Sequence, residues 1–295
     1  MQLLPTSGGR ALARVLIVFL GVYLALCIYL YAQQERFIFL PIRAVENTPR
    51  DFGCEYSESV LYSQGKKIIA WHLPGNPQTA PKVGGRSLLY LHGNAGNLGH
   101  NSGHACRLAG YGFNVFIFDY RGYGKSEGEW PREKTVYEDA EVAWQALKAH
   151  EPDPKQIIIY GHSLGGAVAV DLAAKHPDAG GLIVESSFTS VREMAEVDPV
   201  FRYFPLSMLI HQKLDSKSKL PTIRMPVLFI HGDADRVVPP FMSKRLYDAA
   251  NEPKKLVLIP NGDHDSNALI AGKTYSVAVW DFVASIRHTA AAAAP

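Results

Sequence analysis

The longest unbroken apolar run lies near the N-terminus, where residues 15–32 (VLIVFLGVYLALCIYLYA) carry no charge and almost no polar side chain. About 18 residues reach the lower end of what crosses a ~30 Å hydrocarbon core as a helix. Arg10 and Arg14 precede the run and Gln33 to Arg36 follow it, while Tyr29, Tyr31, Phe37 and Phe39 crowd one end as an interfacial aromatic belt does. A cleaved signal peptide has a shorter apolar region and a small-x-small exit, and a buried core helix keeps a polar face. Residues 1–36 therefore read as a single-pass membrane anchor. Arg10 and Arg14 favour a cytoplasmic N-terminus, with Arg36, Arg43 and Arg50 counting against it. The balance places the rest of the chain on the non-cytoplasmic side.

After a connector over 37–55, bearing Pro and Arg, the pattern changes to short apolar runs separated by turn residues. Ser57 to Tyr62 and Lys67 to Leu73 predict two strands joined at Gln64-Gly65, and Thr79 to Gly85 predicts an exposed turn. Ser87 to Leu91, Asn114 to Phe118, Gln156 to Tyr160, Gly181 to Val184, Pro226 to Ile230 and Lys255 to Ile259 are apolar throughout. Strands of that kind suit a parallel sheet covered on both faces. Helical stretches fall between them (Gly99 to Ala109, Glu133 to Ala149, Leu164 to Lys175, Phe241 to Ala250), and Tyr275 to Ile286 closes the series. The alternation predicts a doubly wound, mostly parallel α/β domain over 56–288. Its rhythm breaks at 188–224, where Phe201, Tyr203, Phe204, Met208 and Leu209 sit among charges. That stretch predicts a small helical cap insertion over the sheet's carboxyl edge, and the alanine-rich tail 289–295 predicts disorder.

Composition changes this picture little. In 295 residues, 47% are hydrophobic and the net charge is +2, enough apolar content for a sizeable core and too little basic excess for a nucleic-acid partner. The three cysteines, Cys27, Cys54 and Cys106, do not make a disulfide framework. Cys27 lies in the apolar run; Cys54 and Cys106 could pair in an oxidising compartment, with two unpaired thiols the simpler reading.

Gly161-His162-Ser163-Leu164-Gly165 follows the third all-apolar run, QIIIY, directly and opens a helix of small residues. A strand, a sharp turn and a helix present a serine oxygen above the sheet edge, but a hydroxyl is a poor nucleophile until a base takes its proton. His264, in the loop just past KLVLI, is the candidate base. His92 and His231 belong to His-Gly turns, and His162 is held within the serine's own turn. His100 and His104, four apart, suggest a metal pair, but no third ligand lies near in sequence. The carboxylate that orients the base has two candidates after PVLFI, Asp233 and Asp235, which residue chemistry alone does not separate. Glu185 is a third, with a structural role the better fit. The oxyanion of a tetrahedral intermediate needs donors already aimed at it. The backbone N–H of Leu164 is one, and that of Asn94, in the loop 92–97 (HGNAGN), is the other, with Ala95 the near alternative.

HGNAGN, DYRGYGKSEG, GHSLGG, HGDADRVVP and the late GDH, in that order, resemble the membrane-anchored branch of the α/β-hydrolase superfamily. The resemblance covers nearly the whole chain. It implies Asp235 rather than Asp233 as the acid, three places after the Gly of its His-Gly pair, and makes 119–122 a structural turn near the pocket. It implies a serine hydrolase of the esterase or thioesterase kind, cleaving through an acyl-Ser163 intermediate without cofactor or metal. The expected substrate is a small-molecule or lipid acyl compound or an acylated protein. Peptidase or acyltransferase action with the same triad is the alternative, and a catalytically silent scaffold is the non-enzyme one.

Overall fold

The computed structural model of the protein describes residues 7–292, with side chains placed from 8 to 286. Strands β1 (Ser57–Ser63), β2 (Lys66–Leu73), β3 (Ser87–Leu91), β4 (Asn114–Phe118), β5 (Ile157–His162), β6 (Gly181–Glu185), β7 (Val227–Gly232) and β8 (Lys254–Ile259) form one sheet. Across it the order is β8-β7-β6-β5-β3-β4-β2-β1, parallel except that β2 runs antiparallel to both its neighbours. Helices α1 (Ser7–Ala32), α2 (Gln34–Ile38), α3 (Leu98–Gly110), α4 (Glu133–His150), α5 (Leu164–Lys175), α6 (Val191–Val197), α7 (Phe241–Ala249) and α8 (Lys273–Ala292) accompany it.

The central strands β3, β5, β6 and β7 are buried along their whole length, as strands covered on both faces must be. Alternate residues feed two separate cores. Ile157 and Ile159 of β5 join Leu89 and Leu91 under α4, α5 and α7, where Trp144, Val168 and Met242 pack. Ile158 and Tyr160 face the other way, with Leu88 and Tyr90, against Leu108 of α3 and Phe282 of α8. Parallel pairing brings the carboxyl ends of β5, β6, β7 and β8 together, with His162 opposite Glu185 and Ile259 opposite Gly232. The turns that leave these ends carry the candidate chemistry.

α1 contains the one helix among the described residues long and apolar enough to cross a membrane, Gly8–Ala32. Residues 188–224 hold α6 and several single-turn helices. The segment is closed at its base by hydrogen bonds from Val191 N to Lys213 O and Ser216 N to Thr189 O, and Leu214, Leu220 and Ile223 root it in the core.

Four expectations need correction. Phe39, grouped by sequence with the interfacial aromatics, is fully buried, because Leu40–Pro41 pairs in parallel with Ala95–Gly96 and draws the connector onto the domain. The segment 79–85 is exposed at 81, 82, 84 and 85 as expected, but it is not a plain turn: Ala80–Val83 forms a helical turn whose Val83 is buried with Leu88 and Phe113. Cys54 and Cys106 are disulfide-bonded, Cα to Cα 5.8 Å, a separation a bridge accommodates. The bond ties the chain just after the turn Pro49–Phe52 to α3. Of the tail expected to be disordered, residues 289–292 continue α8, in keeping with alanine's helix propensity. Residues 293–295 lie outside the described residues.

Candidate active site

β5 ends at His162 and α5 begins at Leu164, leaving Ser163 to make the turn alone, at φ 54° and ψ −122°. Residues with a Cβ rarely adopt a positive φ, and the strain persists only where the surroundings enforce it. Glycine is required on either side by close approach. A Cβ on Gly161 would lie 2.2 Å from Gly165 O, and one on Gly165 would lie 2.0 Å from Leu91 O. The Ser163 backbone is pinned as well: its N–H donates to Glu185 O at 2.9 Å and its carbonyl accepts from Ser187 Oγ at 2.7 Å.

The freed side chain meets two others from distant loops. Ser163 Oγ lies 2.9 Å from His264 Nε2, and His264 Nδ1 lies 2.8 Å from Asp235 Oδ2. His264 follows β8 and Asp235 follows β7. The second oxygen of Asp235 accepts the N–H groups of Val237 at 2.8 Å and Val238 at 2.9 Å. Burial by itself would raise the Asp235 pKa. Hydrogen bonds from His231 and His264, the His264 charge and the Val238 N–H outweigh that, and the carboxyl is held well below the usual carboxylate range. Asp233 is turned elsewhere and accepts the N–H of Asn261 at 2.7 Å.

The loop 92–97 passes directly over the serine, so that a Cβ on Gly93 would lie 3.4 Å from Ser163 Cβ. Two tyrosines of the 119–124 turn hold the loop by its carbonyls: Tyr120 donates to His92 O at 3.2 Å and Tyr123 to Asn94 O at 2.6 Å. Leu40 N also donates to Asn94 O, at 2.9 Å. These contacts engage the carbonyl side of the Asn94 peptide chain. Leu164 opens α5, so its N–H has no carbonyl one turn back to bind. A cavity of about 570 Å³ opens above these groups, lined by Gly93, Asn94, His100, Arg107, Ser163 and His264 among others.

His100 and His104 do not act as a pair. His100 is exposed, with Nδ1 3.1 Å from Asn97 Oδ1, whereas His104 sits between Tyr90 and Tyr160 at 3.3 and 2.8 Å. Burial lowers the His104 pKa to about 3. The atoms of His162, His264 and Asp265 come within 4.8 Å of one another, but both ring nitrogens of His264 are already hydrogen-bonded. His162 Nε2 donates to His264 O at 2.9 Å. That contact fixes the loop carrying His264 from within the serine's own turn, a role no local sequence pattern announces. Burial lowers the His162 pKa, which favours the neutral ring. Below it, Glu185 accepts hydrogen bonds from Tyr160, Tyr275 and Asn267, a structural use of this carboxylate.

Residues 85–216 and 209–267 match a family described as serine aminopeptidase, S33. The chain belongs to the α/β-hydrolase superfamily. This α/β-hydrolase is 33% identical over 285 residues to the lysophosphatidylserine lipase ABHD12 of Danio rerio, spanning 83% of the chain and 74% of the lipase. It is 31% identical over 266 residues to the uncharacterized membrane protein YNL320W of Saccharomyces cerevisiae, covering 86% and 88% of the two chains. Among solved structures it resembles the Pyrococcus furiosus esterase Pf2001 with a TM-score of 0.66 at 20% identity, over 84% of this chain and 98% of the other. That last likeness is one of fold.

Proposed function

We propose that this α/β-hydrolase cleaves a carboxylic ester or thioester through an acyl-Ser163 intermediate, from a domain (56–288, with a cap at 188–224) anchored by residues 1–36. The observation that carries the proposal is the unbroken line from Ser163 Oγ to His264 to Asp235, at 2.9 and 2.8 Å, on a serine held at φ 54°. His264 Nε2 takes the hydroxyl proton as Oγ attacks the acyl carbonyl. Asp235 keeps the proton on Nδ1 and stabilises the imidazolium. The N–H groups of Leu164 and Asn94 receive the developing oxyanion. His264 then protonates the leaving oxygen or sulfur, and a water deprotonated by the same nitrogen releases the acid. No step requires a cofactor.

The ABHD12 relative, named a lipase, supports a lipid ester as substrate, and α1 together with the YNL320W relative supports the anchor. The Cys54–Cys106 bond favours an oxidising compartment for the hydrolase domain, in line with a cytoplasmic N-terminus. The description of the matching family favours a second reading, peptide hydrolysis by the same residues.

The test compares the full-length protein and Ser163→Ala on a short acyl ester, its thioester analogue and an aminoacyl amide. Turnover of the ester and thioester, lost with Ser163→Ala, is expected. Amide turnover alone would favour the peptidase reading. Ester turnover kept by Ser163→Ala would remove the serine from the mechanism.

A further inference from the structure

A second cavity, of about 550 Å³, shares Val237 with the Ser163 pocket, and its walls are mostly apolar, with Gln34, Asp198 and Arg236 the polar exceptions. One wall is the end of the apolar N-terminal helix and its continuation: Leu30, Phe37 and Ile38. The facing wall is the 188–224 segment, with Met194, Ala195 and Leu209. The two walls are locked together rather than loosely apposed. Buried Gln34 donates from Nε2 to Leu209 O at 2.6 Å and accepts at Oε1 from His211 N at 3.0 Å and Gln212 N at 3.2 Å. Farther up α1, Tyr23 donates to Tyr203 O at 2.9 Å, and its ring stacks on Phe204 with centroids 5.7 Å apart.

Two connections join this cavity to the reacting serine. Val237 lines both cavities and donates its N–H to Asp235. Ile38, on the groove wall, accepts the side-chain amide of Asn94 at 3.2 Å. The groove also includes Leu30, within Gly8–Ala32, the stretch long and apolar enough to cross a membrane. Beside it the 188–224 segment exposes Val197, Tyr203 and Met208, side chains suited to a bilayer surface and not to water.

We propose that this groove is the acyl-chain site, with the N-terminal helix as one of its walls, so that a long-chain acyl ester enters from the bilayer and presents its carbonyl to Ser163. The proposal rests on the ester-hydrolase reading and names the substrate class, a membrane lipid or lipid-like ester of a long-chain fatty acid. A groove that runs from the apolar N-terminal helix to Val237, which also lines the Ser163 cavity, favours a chain over a compact acyl group. The leaving group then falls in the more polar cavity on the other side, beside His100, Asn101 and Arg107. Each methylene buried in such a groove raises transition-state binding by up to about fourfold (about 0.8 kcal/mol).

The experiment has two arms on the full-length protein in mixed micelles. The first measures kcat/KM for p-nitrophenyl esters from C4 to C16 in the parent, Ala195→Trp and Leu30→Trp, with Leu26→Trp (the same helix, outside the groove lining) as control. The C16-to-C4 ratio is expected to fall at least tenfold in Ala195→Trp and Leu30→Trp and to stay parental in Leu26→Trp. A ratio within twofold of the parent in either groove variant overturns the proposal. The second arm needs no turnover: a diazirine-bearing palmitate is photo-crosslinked to Ser163→Ala, with and without Ala195→Trp. Adducts within 191–210 that Ala195→Trp removes support the groove, and adducts confined to the exposed face of α1 overturn it. Crosslinking in the groove without ester turnover by the parent would keep the acyl site and discard the ester-hydrolase reading instead.

Discussion

Replacing Asp235 with asparagine changes one atom's hydrogen-bonding character and almost nothing of its shape. Asp235 Oδ1 accepts two backbone N–H groups, from Val237 at 2.8 Å and Val238 at 2.9 Å, and Oδ2 faces His264 Nδ1 at 2.8 Å and His231 Nε2 at 3.1 Å. An asparagine must keep its carbonyl oxygen on the two N–H groups, because turning the amide over would set its NH₂ against two donors. The NH₂ is therefore directed at His264 Nδ1, which must then accept. The imidazole proton moves to Nε2 and points at Ser163 Oγ, 2.9 Å away, where an acceptor is needed. The imidazole is then present and placed, but in the wrong tautomer for the proposed role of base. The expected loss is about 10³–10⁴-fold in kcat, on the order of 4–5.5 kcal/mol of barrier. KM for a short acyl ester should change little, because Asp235 does not line the cavity. Steady-state kinetics on Asp235→Asn, with near-ultraviolet circular dichroism to establish that it is folded, reads this directly. A folded variant that loses less than about tenfold in kcat, or loses activity through KM alone, would refute the tautomer reasoning.

Three further outcomes follow from the same geometry. Gly165→Ala drives a Cβ to 2.0 Å from Leu91 O, a backbone atom that cannot swing aside, so thermal unfolding should show either no folded protein or a fall of several kcal/mol; a parental melting temperature would contradict the contact. Reduction of Cys54–Cys106 opens a loop of 52 residues, for which chain entropy gives a loss of about 4 kcal/mol, measurable as a lower denaturant midpoint in the reduced protein. For Asp235 the folded pKa lies below that of an unfolded aspartate, so its stabilisation is complete above about pH 4 and is lost as pH falls through the folded value. Acid unfolding of Asp235→Asn should accordingly show a shallower pH slope than the parent below about pH 5, and identical slopes would contradict the shift.

Much of the sheet was legible because its central strands are covered on both faces, and a run such as QIIIY has no amphipathic ambiguity to resolve. The serine turn was legible for a related reason: the collisions awaiting any Cβ at Gly161 and Gly165 leave a glycine spacing in the sequence. Features set by contacts between distant segments were not legible. Phe39 reads as an interfacial aromatic until Leu40–Pro41 is seen paired with Ala95–Gly96. Cys54 and Cys106 have no local pattern that joins them across 52 residues. His162 serves His264 by a hydrogen bond to a carbonyl 102 positions away, and carbonyls are present at every residue. Asp233 and Asp235 are chemically equal and differ only in where one loop turns them.

The proposed function stands or falls with Ser163 as an activated nucleophile. Labelling of the detergent-solubilised full-length protein by a fluorophosphonate, with Ser163→Ala and His264→Ala in parallel and the adduct mapped by peptide mass, tests it most directly. A single adduct on Ser163 that both substitutions abolish is expected. Folded parent protein that takes up no probe, or an adduct on another residue, would contradict it.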